Sequence, residues 1–155
     1  MVRSKKIPAY RTYQFDKVEI VRIEHPDKSD DALIKMKEHI KEILTELKLD
    51  FRILNLCAGD LGFTSSITYD FEIFSKGQEK WLEISSVSNF KTYQSNRLNL
   101  KFKDKDGKNY TLHTLNGSSL ALPRVMAGLI ENNQSENGII IPDVLVPHTG
   151  FDLIN

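Results

Sequence analysis

Cysteine is nearly absent from this chain. Cys57 is the one cysteine in 155 residues, so no internal disulfide can form, and a reducing compartment is expected. Long apolar runs are absent as well. None approaches the roughly 18 residues that span a membrane, and Met1 to Tyr10 lacks the apolar centre of a secretion signal. The sequence therefore reads as cytoplasmic. An excess of one charge is also missing: 21 Lys and Arg balance 21 Asp and Glu, for a formal net charge of +0. A nucleic-acid partner would have to be held by a local patch. His25, His39, His113 and His148 are scattered, and Cys57 has no partner at metal-ligand spacing. A buried, structural thiol is the expectation for Cys57.

What is present is ordinary for one globular domain with a real core: 40% hydrophobic and 27% charged residues. No repeat, linker or low-complexity segment divides it. Residues 1–9 are basic and lack periodicity, which predicts an irregular start. Ser29-Asp30-Asp31 reads as an N-cap with acids in the first turn. Leu33, Met36, Ile40, Ile43, Leu44 and Leu47 then recur at three- and four-residue spacing, predicting an amphipathic helix to about Lys48.

Strands are expected over Phe51 to Cys57, Thr68 to Phe74 and Lys80 to Ser88. The last pair is read as a hairpin turned by Lys76-Gly77-Gln78. In the second hairpin strand, alternation puts Trp81, Glu83 and Ser85 on one face and Leu82, Ile84 and Ser86 on the other. A helical turn over Tyr93 to Arg97 and strands over Leu98 to Lys103 and Asn109 to Leu115 follow. Pro123 can open a late helix, and Ile139 to Ile141 form a last apolar run before Pro142. This order predicts an α+β fold, a mainly antiparallel sheet with flanking helices.

The stretch Arg11-Thr12-Tyr13-Gln14-Phe15-Asp16-Lys17-Val18-Glu19 is the most unusual. It runs on into Ile20, Val21, Arg22 and Ile23 and reads as a strand. Its odd face carries Arg11, Tyr13, Phe15, Lys17 and Glu19 in a row of roughly 26 Å at about 3.3 Å per residue. A solvated face would explain that row, and so would a site for a nucleotide with a small acid. Further polar residues sit where core strands are usually apolar. Glu83 and Ser86 lie inside Glu83-Ile84-Ser85-Ser86, and Asn116-Gly117-Ser118 ends a strand before a helix carrying Arg124. Carboxylates with a hydroxyl can hold Mg²⁺. Arginines and a lysine can neutralise a triphosphate, and Phe15 can stack on a base. Ala58-Gly59-Asp60-Leu61-Gly62 lacks the Gly-Lys-Ser/Thr continuation of a phosphate loop.

Four runs resemble the C-terminal half of bacterial-type seryl-tRNA synthetases, which are class II aminoacyl-tRNA synthetases. They are Arg11 to Glu19, Cys57-Ala58-Gly59-Asp60-Leu61-Gly62-Phe63, Glu83-Ile84-Ser85-Ser86-Val87-Ser88-Asn89, and His113-Thr114-Leu115-Asn116-Gly117-Ser118. The last continues to Arg124 and Glu131-Asn132, and the tail from Ile141 to Pro147 is also similar. The likeness covers about residues 10 to 150, in the family's order and near its spacing.

The resemblance implies a partial class II catalytic core spanning the whole chain, 1–155, that makes seryl-adenylate from serine and ATP and esterifies tRNA(Ser). Arg11, Phe15, Lys17 and Glu19 would come from the second strand of motif 2. Arg11, Lys17 and Arg124 would be catalytic, and Phe15, Glu83, Ile84, Ser85, Ser86 and Arg124 would bind ATP. Glu19, Asn116 and Ser118 would bind serine, and Glu83 and Ser86 would take Mg²⁺. A homodimer is implied for the full-length family. Glu83 and Ser86 can serve together only if a bulge brings them to one face.

The sequence also departs from the family. Its Phe-Arg-x-Glu strand, motif 1, the Thr-x-Glu loop and the tRNA-holding coiled coil are not matched. Leu82 stands where arginine is usual, Tyr13 for histidine and Val87 for cysteine. Ser119 and Pro123 each replace a motif 3 glycine. The isolated chain is expected to be a weak catalyst that self-associates along its first strand. An adenylate-forming relative that loads a carrier protein, or a non-catalytic nucleotide-binding remnant, would share these features.

Overall fold

The computed structural model describes residues 14–155. A five-stranded, wholly antiparallel sheet runs in the order β1-β7-β4-β3-β2. Its strands are β1 (Lys17–Glu24), β2 (Phe51–Asn55), β3 (Ile67–Ser75), β4 (Lys80–Asn89) and β7 (His113–Ala121). Helix α1 (Ser29–Glu46) lies between β1 and β2 in sequence, and α2 (Tyr93–Leu98) follows β4. A small hairpin, β5 (Lys101–Lys103) with β6 (Asn109–Thr111), precedes β7, and α3 (Leu122–Asn132) leaves β7 without a loop. The chain closes with β8 (Gln134–Ser135), β9 (Gly138–Ile140), the short α4 (Val146–Thr149) and β10 (Leu153–Ile154), which form a three-stranded sheet with α4 inserted.

Both long helices pack on one face of the large sheet. α1 turns Ala32, Leu33, Met36, Ile40 and Leu44 inward, onto a core that includes Phe71, Ile73, Ile84, Val87 and Leu115. Full burial of such a side chain contributes about 1.5–3 kcal/mol. That packing, rather than intrinsic propensity, holds an 18-residue helix with a mostly charged outer face. α3 buries Val125 and Gly128 against the same face, with Gly128 tight against the Ile73 side chain. On the other face only the short α2 meets the sheet, its Gln94 bonding Thr114 and Asn116 at the start of β7; the rest of that face carries no helix among the described residues.

Several expectations change here. Ser29 is not a side-chain cap; Lys28 occupies that position and makes no capping bond. The Ser29 hydroxyl is buried instead, 2.7 Å from His113 Nδ1 and 3.1 Å from the Pro26 carbonyl. The segment expected as one strand from Asn109 to Leu115 breaks at Leu112, and β7 continues through Asn116-Gly117-Ser118 to Ala121. Cys57 is exposed, with its Sγ 3.6 Å from Asp60 Oδ2. The start at 1–9, and with it Arg11 and Tyr13, lies outside the described residues.

Two register shifts set the faces. On β4, Phe71 pairs with Ser85 but Glu72 pairs with Glu83, which leaves Ile84 as the extra residue. Beyond that shift Trp81 and Glu83 stand on the same face as Ser86, not opposite it, and Ile84 is sunk in the core. The bulge that Glu83 and Ser86 require is therefore present. On the other edge, Val18 pairs with Leu120 and Glu19 with Ser118, which leaves Ser119 extra on β7.

Candidate functional site: the open sheet face

Register places the polar side chains in rows across the face opposite α1 and α3. Glu19 on β1 is opposite Ser118 on β7. The Gly117–Val87 pairing brings Ser118 beside Ser86 on β4, and Ser86 is opposite Asp70 on β3. Next to this row lies a second, Val21–Asn116–Ser88–Thr68. Glu83 and Glu72 pair one step further along β4 and β3. Antiparallel pairs of this kind keep side chains about 4.5–5.5 Å apart, so the row is one continuous surface.

Each predicted side chain among the described residues can now be placed; Arg11 lies outside them. Lys17 Nζ is 2.8 Å from Glu19 Oε2 on the exposed edge strand. Phe15 lies just before β1 with half of its surface in solvent. Arg124, in the first turn of α3, donates from Nη1 to the main-chain carbonyl of Glu83. α3 starts at the end of β7, so the chain needs no loop to bring that guanidinium to the β4 bulge. Asn116 Nδ2 donates to Gln94 Oε1 at 3.2 Å, and Thr114 Oγ1 reaches the same oxygen at 2.7 Å. The Ile84 side chain belongs to the core, and the Ser85 hydroxyl donates to the Ser118 carbonyl. Ile84 and Ser85 can thus offer a ligand only main-chain groups. Among described residues, Lys17, Glu19, Glu83, Ser86, Asn116, Ser118 and Arg124 belong to this face or its rim, and Phe15 lies two residues before the strand that carries Lys17 and Glu19.

The electrostatics are concentrated at the bulge. The Glu83 carboxyl is pushed up from its ordinary range, first by partial burial and then by the Asp70 charge; Arg124 and Lys17 oppose the shift. Asp70 is also pushed up, by burial first, with the Ser86 hydrogen bond opposing and the charges of Glu72 and Asp60 adding to it. Glu72 is held by Arg52 at 2.5 Å, and that guanidinium lies 4.7 Å from the centre of the Trp81 ring. Half-buried carboxylates held above their ordinary range, with Arg124 and Lys17 acting on Glu83, form a site suited to a ligand with both anionic and cationic parts.

Asp70 escaped the sequence reading. Its signal was an acid inside Thr68-Tyr69-Asp70-Phe71-Glu72-Ile73, on the alternate set to the buried Phe71 and Ile73. A partly open groove of about 180 Å³ lies elsewhere, between α3 and the last strands. Its lining, including Met126, Ile130, Ile139 and Phe151, is apolar except for Thr149.

Comparison with known proteins fits this geometry. The tRNA synthetase class II core domain (G, H, P, S and T) matches residues 3–133. The serine–tRNA ligase of Akkermansia muciniphila is 49% identical over 145 residues, covering 93% of this chain and 34% of the relative. That of Leptospira biflexa is 50% identical over 139 residues, covering 89% and 33%. The chain thus spans about a third of the length of the curated relatives it matches. The crystal structure of seryl-tRNA synthetase from Pyrococcus horikoshii complexed with ATP superposes with a TM-score of 0.90 at 35% identity, over 99% of this chain and 36% of that one. The cytoplasmic serine–tRNA ligase of Naegleria fowleri, solved with AMP, gives 0.85 at 27% identity, over 94% and 35%. With an open antiparallel sheet face, a carboxylate-bearing bulge and an arginine at the head of the following helix, the chain belongs to the tRNA synthetase class II core domain family.

Proposed function

We propose that this chain is the catalytic part of a serine–tRNA ligase and works on its open sheet face. The observation that carries the reading is the common face of Glu19, Ser118, Ser86 and Glu83, with Lys17 and Arg124 at its edge. The likeness to a synthetase solved with ATP supports it. In this reading the serine carboxylate attacks the α-phosphorus of ATP, the bond to the β-phosphate oxygen breaks, and pyrophosphate leaves. The seryl group then passes to a hydroxyl of tRNA(Ser), releasing AMP.

Each residue has a role set by its chemistry. Glu19 accepts hydrogen bonds from the serine ammonium, and Asn116 and Ser118 lie in position to meet the serine hydroxyl. The Phe15 ring stacks on adenine. Lys17 and Arg124 balance phosphate charge, and Arg11 would add to them. Ile84 and Ser85 contribute main-chain groups beside the nucleotide.

The donor set also fits Mg²⁺. Glu83 and Ser86 share a face, and one oxygen of the neighbouring Asp70, Oδ1, is buried without a partner. Among the described residues no group of three His, Cys, Asp or Glu could hold a metal by itself. Mg²⁺ is commonly held by one or two carboxylates together with substrate phosphates. When bound, the ion would neutralise phosphate oxygens. The proposal extends to a homodimer of the full enzyme in the cytoplasm; no described helix is long and apolar enough to cross a membrane.

Serine-dependent exchange of pyrophosphate into ATP tests the reading. Exchange that requires serine supports adenylation, and subsequent transfer to tRNA(Ser) rather than to a carrier protein identifies the acceptor. A chain that neither binds ATP nor catalyses exchange would overturn the reading.

A further inference from the structure

The register of β3 and β4 sets Asp70 directly opposite Ser86 on the open face, a pairing that keeps the two side chains within about 4.5–5.5 Å at their Cβ atoms. One carboxylate oxygen, Oδ1, is buried with no hydrogen-bond partner. A buried carboxylate lacking a full set of partners is unfavourable for the fold. Glu72, two residues on along the same face, is paired with Arg52 at 2.5 Å. The fold therefore keeps a charge here that its own packing does not use.

A hydroxyl that ligates a cation through a lone pair must direct its proton elsewhere. Asp70 is placed to accept that proton. We propose that Asp70 is a positioning residue of the adenylation site: it accepts the proton of the Ser86 hydroxyl and so turns that hydroxyl's lone pairs outward, toward the metal–ATP complex. This rests on the serine–tRNA ligase reading and deepens it, because Asp70 acts through Ser86 and not on the substrate.

A purely structural Asp70 and a positioning Asp70 make opposite predictions for Asp70→Asn. This variant keeps the shape and an acceptor for Ser86 but removes the charge. If Asp70 positions Ser86, the chain without ligand should unfold at the same temperature as the parent or higher, because the uncompensated carboxylate is gone. Its affinity for Mn²⁺ with ATP, read from the paramagnetic signal of free Mn²⁺, should fall about 10–100-fold. Ser86→Ala should also weaken binding, and the double variant should bind no worse than Ser86→Ala alone, as expected of two residues acting through one group.

The inference is overturned if Asp70→Asn binds Mn²⁺·ATP like the parent, if the two losses multiply, or if Asp70→Asn fails to fold. In the first case the parent binds normally and the adenylation reading survives. If the parent chain itself does not hold Mn²⁺·ATP, that reading falls and this inference falls with it.

Discussion

Gly117 of β7 faces Val87 of β4 so closely that a methyl group on Gly117 would stand 2.6 Å from the Val87 Cα and overlap the Ser86 carbonyl oxygen. Both obstacles are main chain at the centre of the sheet, so neither can rotate away. The close approach also brings Ser118 beside Ser86. Gly117→Ala should destabilise the fold by about 1–3 kcal/mol and weaken ATP binding by widening the gap between those strands. Gly128→Ala meets the end of the Ile73 side chain instead; it should destabilise less and leave the ATP affinity of the remaining folded chain unchanged. Urea unfolding with parallel ATP titrations checks both.

Glu131 joins the end of α3 to the β3–β4 turn. Its Oε2 accepts from the buried Ser75 hydroxyl at 2.8 Å and from the Gly77 amide at 3.1 Å. The Gln78 amide in turn donates to Ser75 Oγ at 3.2 Å. Hydrogen bonds to a charged group contribute roughly 1.5–3 kcal/mol. Glu131→Ala should lower stability by about that amount and open residues 76–79 to limited proteolysis, because the turn loses its anchor. An unchanged cleavage pattern would contradict this.

His113 makes stability depend on pH. Its imidazole is held below the ordinary 6.5, by burial first and by the Lys91 ammonium next; His25 adds to the shift while Asp30 and Asp27 oppose it. Ser29 Oγ contacts its Nδ1 at 2.7 Å. The unfolded chain therefore binds a proton more readily than the folded one. Stability from this residue is complete above about 6.5 and is lost as pH falls through the folded value. His113→Gln should flatten that part of the profile. Denaturant midpoints of parent and variant at matched pH values from neutral to mildly acidic give the comparison.

Parts of this architecture were legible in the sequence, for physical reasons. α1 follows from Leu33, Met36, Ile40 and Leu44 at helical spacing, because the core side of a helix repeats at 3.6 residues. Glu83 and Ser86 could share a ligand only across a bulge, and the register shift at Ile84 supplies one. β7 was read too short because Asn116-Gly117-Ser118 has the composition of a turn. Here the glycine answers a different need, close approach of two central strands, which only the strand order reveals. Ser29 looked like a cap, yet its partners His113 and Asn89 are distant in sequence. Asp70 was passed over for the same reason: its meaning depends on Ser86 across the sheet.

Glu19 and Lys17 point to a test that separates the two substrates. Their ion pair, 2.8 Å long, lies on the partly exposed edge strand, where such pairs contribute little to stability. In the proposed site, serine arriving at Glu19 would bring an ammonium that competes with Lys17 for the same carboxylate. Lys17 would then be released toward the phosphates, and each substrate would prepare the proposed site for the other. Glu19→Gln removes the anion from this exchange. ATP should bind it as tightly as the parent or more tightly without serine, because Lys17 is already free. The serine concentration needed for half-maximal pyrophosphate exchange should rise about ten- to a hundredfold, the equivalent of roughly 1.5–3 kcal/mol for a lost charged hydrogen bond. Lys17→Ala should do the reverse, weakening ATP and sparing serine. Calorimetric ATP titrations beside exchange assays would show the two variants moving apart; equal losses of both substrates in both variants would mean that the pair only shapes the edge of the sheet.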